Sequence, residues 1–297
     1  MGAGLNHATP SARFARDRLR AYAFPESRQV YSERDVILYA LGLGLGDRPR
    51  DPAQLRFLYE KSLCALPTMA VVLAHPGFWA GNRDLGIDWV RMLHGEQGLS
   101  VYRPIPVRGE VVGRSRICEV LDRGKGKGAL LFYERDIVDA HSGELIATSR
   151  QTLFCRGNGG FSNDSPQPAP RPHGIPERAP DRVVEHKTLP QMALIYRLSG
   201  DLNPLHVDPA VAERAGFAAP ILHGLATYGI GGRAVLEQMC NSEPNRLKSF
   251  DVRFTAPVFP GETVRTSLWR DGNTVSLRSV AIERGIVVMD NGRAVIE

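Results

Sequence analysis

Residues 196–209 read YRLSGDLNPLHVDP and set Asp201, Asn203 and His206 within six residues of one another, around Pro204. A carboxylate and an imidazole that close can jointly hold one water, one accepting its proton and the other supplying one. Gly200 and Pro204 keep the segment out of regular helix, so these side chains project from irregular backbone. Functional groups concentrate on such segments. Turn chemistry is the competing reading for Asp201 and Asn203, because both residue types bond their own backbone in loops. For His206 it is a partly buried, hydrogen-bonded ring.

The element that follows shifts the balance. Asp208-Pro209 reads as a helix start, a carboxylate cap followed by proline at the first helical position. Beyond it, residues 223–240, HGLATYGIGGRAVLEQMC, read as a helix despite Gly224, Gly229, Gly231 and Gly232. Each glycine costs ~1 kcal/mol relative to alanine in a helix interior, so close packing must offset them. Tight packing inside a curved sheet is expected of Gly231 and Gly232. Gly224 stands at the helix start, where an amide without an intrahelical partner and the helix dipole form a small oxyanion hole. A carboxylate, an imidazole and an amide donor suit addition of water to an α,β-unsaturated thioester, or its reverse.

The elements that position these groups fall into two halves. Residues 156–180 are dense in Pro, Gly, Ser and Asn and read as a linker between domains 28–155 and 181–297. Residues 1–27 read as a leader with a short helix near Ala12–Tyr22. In each half a helical region precedes β-rich runs separated by turn dipeptides, which implies antiparallel neighbours. PVRGEVV (106–112) aligns with PVFPGETV (257–264), and GDRPRDPAQ (46–54) aligns with GDLNPLHVDPAV (200–211). The earlier copy is three residues shorter and has no histidine, so a duplicated fold with one surviving site is expected.

Composition closes off other classes. At 43% hydrophobic and 23% charged, the chain reads as globular. The net charge, 37 − 32 = +5, is not gathered into a basic stripe, which argues against nucleic-acid binding and allows attraction of an anionic small molecule. The four cysteines show no C-x-x-C spacing, so zinc and redox motifs are not indicated. No apolar run reaches the ~18–20 residues needed to span a bilayer, and a reducing cytoplasm is the expected setting.

YRLSGDLNPLH, followed by ILHGLATYG and VRFTAPVFPGET, resembles the hydratase 2 motif of the MaoC-like family, as found in (R)-specific 2-enoyl-CoA hydratases. YSERDVILYALGLG, HGEQ and VLDRGKGKG extend the resemblance through the first half, to two-domain members such as the unit within peroxisomal multifunctional enzyme type 2. The resemblance implies an α+β double hot-dog fold, two antiparallel sheets each wrapped around a central helix. It implies that Asp201 and His206 are the catalytic pair and that the amide of Gly224 covers the thioester oxygen. Asn203, His94, Gly95, Arg123 and Arg253 would contact or orient the substrate. Arg123 replaces the family's lysine, which keeps the charge and changes the hydrogen-bond geometry, and Lys125 is a nearby substitute. The implied reaction is reversible syn hydration of trans-2-enoyl-CoA to (3R)-hydroxyacyl-CoA by a homodimer. No metal or redox cofactor is implied, and coenzyme A arrives with the substrate. The first half, lacking the pair, would house the acyl chain. A thioesterase on the same fold and a non-catalytic acyl-CoA-binding protein are the alternatives.

Overall fold

The computed structural model describes residues 13–162 and 168–297. The first half supplies β1 (Ser27–Tyr31), β2 (Met92–Val101), β3 (Gly109–Asp122), β4 (Ala129–Asp139) and β5 (Leu145–Cys155). The second supplies β6 (Arg182–Lys187), β7 (Leu247–Phe254), β8 (Thr263–Asp271), β9 (Thr274–Ala281) and β10 (Ile286–Ile296). These strands form one antiparallel sheet in the order β1-β3-β4-β5-β2-β7-β10-β9-β8-β6. The two sheets expected of a double hot-dog are thus joined edge to edge through β2 and β7 into a single one. Within that seam Leu99 pairs with Phe250, and both are fully buried.

Among the described residues six α-helices accompany the strands: α1 (Arg16–Arg20), α2 (Glu33–Gly42), α3 (Pro52–Leu55), α4 (Met192–Tyr196), α5 (Pro209–Arg214) and α6 (Gly224–Met239). Of the expected leader, residues 1–12 lie outside the described residues; within the rest, α1 buries Leu19 and packs on β3. The start of α2 is fixed by a capping box, in which the Ser32 hydroxyl and amide both donate to Asp35. Within the linker stretch, the Asp122 carboxylate accepts from the amides of Gly160 and Ser162, and the Trp269 indole donates to the Arg178 carbonyl.

The duplication is visible in matched turns. Gly46 and Gly200 have φ of +97° and +120° ahead of Asp47 and Asp201. Asp51 and Asp208 each cap a helix through a 2.9 Å bond, from the amides of Ala53 and Ala210, with Pro52 and Pro209 following each cap.

The centres of the halves differ. In the second half α6 runs 16 residues through the concave face of the sheet. In the first half a five-residue 3-10 turn, Pro67–Val71, lies against β2, β5 and α6 instead. A 16-residue helix begun at Pro67 would have to pass through Pro76, which lacks the amide a helix interior needs. The long helix therefore belongs to one half only.

Close approach explains the glycines of α6. A Cβ on Gly231 would sit 2.8 Å from Met289 Cε, and one on Gly232 would sit 2.5 Å from Thr68 Cγ2 of the other half. Tyr228, Ile230, Val235, Leu236 and Met239 are buried on the same helix. At ~1.5–3 kcal/mol per buried large side chain, they outweigh the ~1 kcal/mol that each glycine costs.

Candidate active site

The polar turn forms a 3-10 segment, Pro204–His206, capped by Asn203, whose Oδ1 accepts the Leu205 amide at 3.0 Å. Asp201 serves two purposes. Its Oδ1 accepts the Asn203 amide at 3.1 Å, the turn chemistry that competed with a functional reading. Its Oδ2 is left facing His206 Nε2 at 4.0 Å.

His206 is 7% exposed, and its Nδ1 lies 2.8 Å from the Ile221 carbonyl. A carbonyl oxygen only accepts, so Nδ1 carries the proton and Nε2 presents a lone pair toward Asp201. Burial lowers the His206 pKa below its ordinary value, while the Ile221 bond and the Asp201 charge oppose the shift. The ring is therefore neutral near pH 7, in the state a general base needs.

Behind it stands His223, absent from the expected site residues. Its Nε2 donates to the Asp201 carbonyl at 3.1 Å, and its ring stacks on His206 with centroids 3.7 Å apart and planes 26° apart. Burial, and secondarily His206, push its pKa down to about 4. Tyr196 leans on the far side at 5.1 Å. The only signal in the sequence was the HG dipeptide itself: the histidine precedes the glycine that opens α6.

That stack carries Gly224 to the site. Among the described residues its amide has no intrahelical acceptor, since the first bonds into the His223 carbonyl come from Ala226 and Thr227. A Cβ on Gly224 would lie 3.8 Å from Phe254, and the Phe254 ring meets His94 edge to face at 5.2 Å. His94 Nε2 is buried without a partner, and burial lowers that ring's pKa to about 4. Gly95 sits at a register shift between His94 and Glu96, where a Cβ would be 3.2 Å from the Thr152 carbonyl. The fold thus gathers Asp201, His206, Gly224 and His94 at one end of the seam, with His223 and Phe254 between them. His75, a second residue outside the expected set, lies within electrostatic reach of Asp201, His94 and Arg135.

The expected basic contacts are elsewhere. Arg253 follows the strand alternation to the face opposite Phe254 and binds Glu96 through Nε at 3.0 Å and Nη2 at 2.6 Å. Arg123 and Lys125 occupy the β3–β4 hairpin, where the Arg123 amide donates to the Gly128 carbonyl. Asn203 is exposed, and its side-chain oxygen is engaged within its own turn.

Asp201, His206 and His223 offer donor atoms within 4.8 Å of one another, a set of metal-ligand type. Their orientation suits a metal poorly. Imidazole lone pairs lie in the ring plane, and two rings stacked at 3.7 Å cannot both aim in-plane at one ion.

Residues 172–291 match the model of the MaoC like domain, and residues 30–157 match that of the MFE-2 hydratase 2 N-terminal domain. The chain is 39% identical over 303 residues to the peroxisomal enoyl-CoA hydratase 2 of Arabidopsis thaliana, covering 95% of this chain and 96% of the relative. It is 42% identical over 277 residues to a probable enoyl-CoA hydratase 2 of Dictyostelium discoideum, covering 90% and 91%. The crystal structure of a MaoC-like dehydratase from Phytophthora capsici superposes with a TM-score of 0.82 at 34% identity, covering 95% and 98%. With both halves matched and the likeness running nearly end to end, the chain belongs to the MaoC-like hydratase 2 family.

Proposed function

We propose that this protein hydrates trans-2-enoyl-CoA reversibly to (3R)-3-hydroxyacyl-CoA. The carrying observation is the pair of facing acceptors, Asp201 Oδ2 and His206 Nε2, 4.0 Å apart with the tautomer set by Ile221. Two acceptors cannot bond each other. A water donating one hydrogen to each, at ordinary bond lengths, separates its acceptors by about 4–4.5 Å, so the gap suits one water.

In the proposed step the water oxygen bonds to C3 of the enoyl chain while His206 Nε2 takes one of its protons. The C2=C3 electron pair moves toward C2 and the thioester oxygen, where the Gly224 amide and the α6 dipole meet the developing charge. The proton then returns to C2 from the same side, through the Asp201–His206 pair, so both new bonds form on one face. The pair ends as it began, and dehydration runs the same steps backwards. The step needs only water and the thioester; coenzyme A enters as part of the substrate.

His94 and Gly95, across the seam, would border the reacting carbons, and Asn203 would hold the turn's shape. Arg123 and Arg253 stand outside this cluster, so their proposed part is attraction of the coenzyme A phosphates. The first half, with a short turn in place of a central helix, would receive the acyl chain. Among the described residues no helix is long and apolar enough to cross a membrane, and the four cysteines are unpaired. A cytoplasmic setting and a homodimer complete this reading.

A chain-length series of trans-2-enoyl-CoA substrates tests it, with loss of the conjugated thioester absorbance, thiol release and product chirality followed together. Bleaching without thiol release and a (3R) product are expected. Thiol release would indicate a thioesterase instead, and saturable binding without turnover a carrier.

A further inference from the structure

A cleft of about 310 Å³ opens at the other end of the β2–β7 seam, lined by Ala65, Pro67, Tyr102, Arg103, Asn245 and Lys248 among others. Its position is that of the active site after exchange of the two halves. The active site lies between the start of β2, at His94, and the end of β7, at Phe254. The cleft lies between the start of β7, at Leu247 and Lys248, and the segment leaving β2, at Tyr102 and Arg103.

The correspondence extends to the spacing between helix starts. Pro52 to Pro67 is 15 positions, and so is Pro209 to Gly224. The residues before the two helix starts share a conformation: Leu66 has φ −68° and ψ 132°, His223 φ −56° and ψ 136°. Pro67 thus stands where Gly224 stands, and it has no amide hydrogen to offer an oxyanion. Asp47, the counterpart of Asp201, is held by Gln54 at 2.7 Å and by Arg233 at 3.1 Å. No histidine accompanies it. The cleft thus lacks the imidazole and the free amide of the other site, while the matching carboxylate, Asp47, lies outside its lining and is engaged elsewhere.

It has also gained charge. Arg56, Arg103 and Lys248 line it against one carboxylate, Glu243. Arg103 and Lys248 pair with Glu144 and Glu297, whose side chains are 47% and 67% exposed. Pairs this open to water exchange partners readily, so both cations can turn to a phosphate.

We propose that this cleft is a second, non-reacting binding site for a coenzyme A thioester, its phosphates met by Arg103 and Lys248 and its arm by the wall of Ala65, Pro67 and Tyr102. The proposal rests on the reading above for the thioester class alone. It makes the duplicated chain bivalent for one ligand class, with chemistry at one end of the seam.

Titration calorimetry of the full chain with decanoyl-CoA, which is saturated and cannot be hydrated, reads the number of sites. Two molecules per chain are expected for the unmodified protein. One is expected for the double variant R103E/K248E, with kcat/KM for crotonyl-CoA hydration within twofold of the unmodified protein. One molecule per chain in the unmodified protein, none at all, or two that persist in the double variant would overturn the proposal. Crotonyl-CoA turnover on the same preparation separates the two ideas. Two sites without turnover would leave this proposal standing and remove the hydratase reading; turnover with a single site would do the reverse.

Discussion

Gly224→Pro transplants into the active half the residue that occupies the matching position in the other. Proline is tolerated at the first helical position, because the missing amide has no intrahelical partner there. The preceding residue, His223, already has ψ 136°, the extended conformation that proline imposes on its neighbour. A Cβ at this position meets Phe254 at 3.8 Å, an ordinary contact, so the variant should fold with a Tm near that of the unmodified protein. What it loses is the one N–H that the proposed function assigns to the thioester oxygen. Loss of one such donor costs about 10²–10³ in kcat, or ~2.7–4 kcal/mol of barrier. Gly224→Ala keeps the N–H and the same contact, and should stay within about tenfold of wild type, well short of the donor-loss range. Enoyl-thioester bleaching gives kcat, and thermal unfolding reports the fold. A proline variant that folds and turns over as fast as the alanine variant would refute the oxyanion role of this amide.

Acid should destabilise the fold through its buried neutral histidines. His94 and His223 are held at about 4, and His206 is also lowered, whereas the unfolded chain binds protons near the ordinary 6.5. Their contribution is complete above about 6.5 and is lost as pH falls toward 4, which urea unfolding at stepped pH would register as a falling midpoint. Gly232→Ala should cost more than Gly231→Ala, within ~1–3 kcal/mol, because stiff Thr68 yields less than the flexible end of Met289. Thr68→Ser should restore part of the loss in the Gly232 variant alone. Dialysis against a chelator should leave kcat unchanged, since the stacked rings do not converge on one ion; a loss restored by added divalent metal would contradict that.

The polar turn that brings Asp201 to face His206 was legible in the sequence because its parts are local: six residues hold Asp201, Asn203 and His206, and the cap at Asp208-Pro209 marks where the turn ends. Strand alternation and turn dipeptides gave the antiparallel halves for the same reason. Other features depend on distances no local pattern carries. His223 stacks on His206 across 17 positions of chain, and His94 joins the site only because β2 and β7 pair edge to edge. Arg253 has the residue type of an anion contact, yet strand alternation turns it to the other face and Glu96 claims its guanidinium. The missing central helix of the first half was encoded by Pro67 and Pro76. Matched dipeptides elsewhere implied that both halves shared one plan, and those two prolines are where the copies diverged.

A double-mutant cycle on Asp201 and His206 asks most directly whether the two act on one water. Asp201→Asn and His206→Gln should each lower kcat by about 10²–10⁴. If the pair grips a single molecule, the double variant should fall no further than the worse single one. Losses that multiply would mean that carboxylate and imidazole act independently, and the shared water between them would have to be given up.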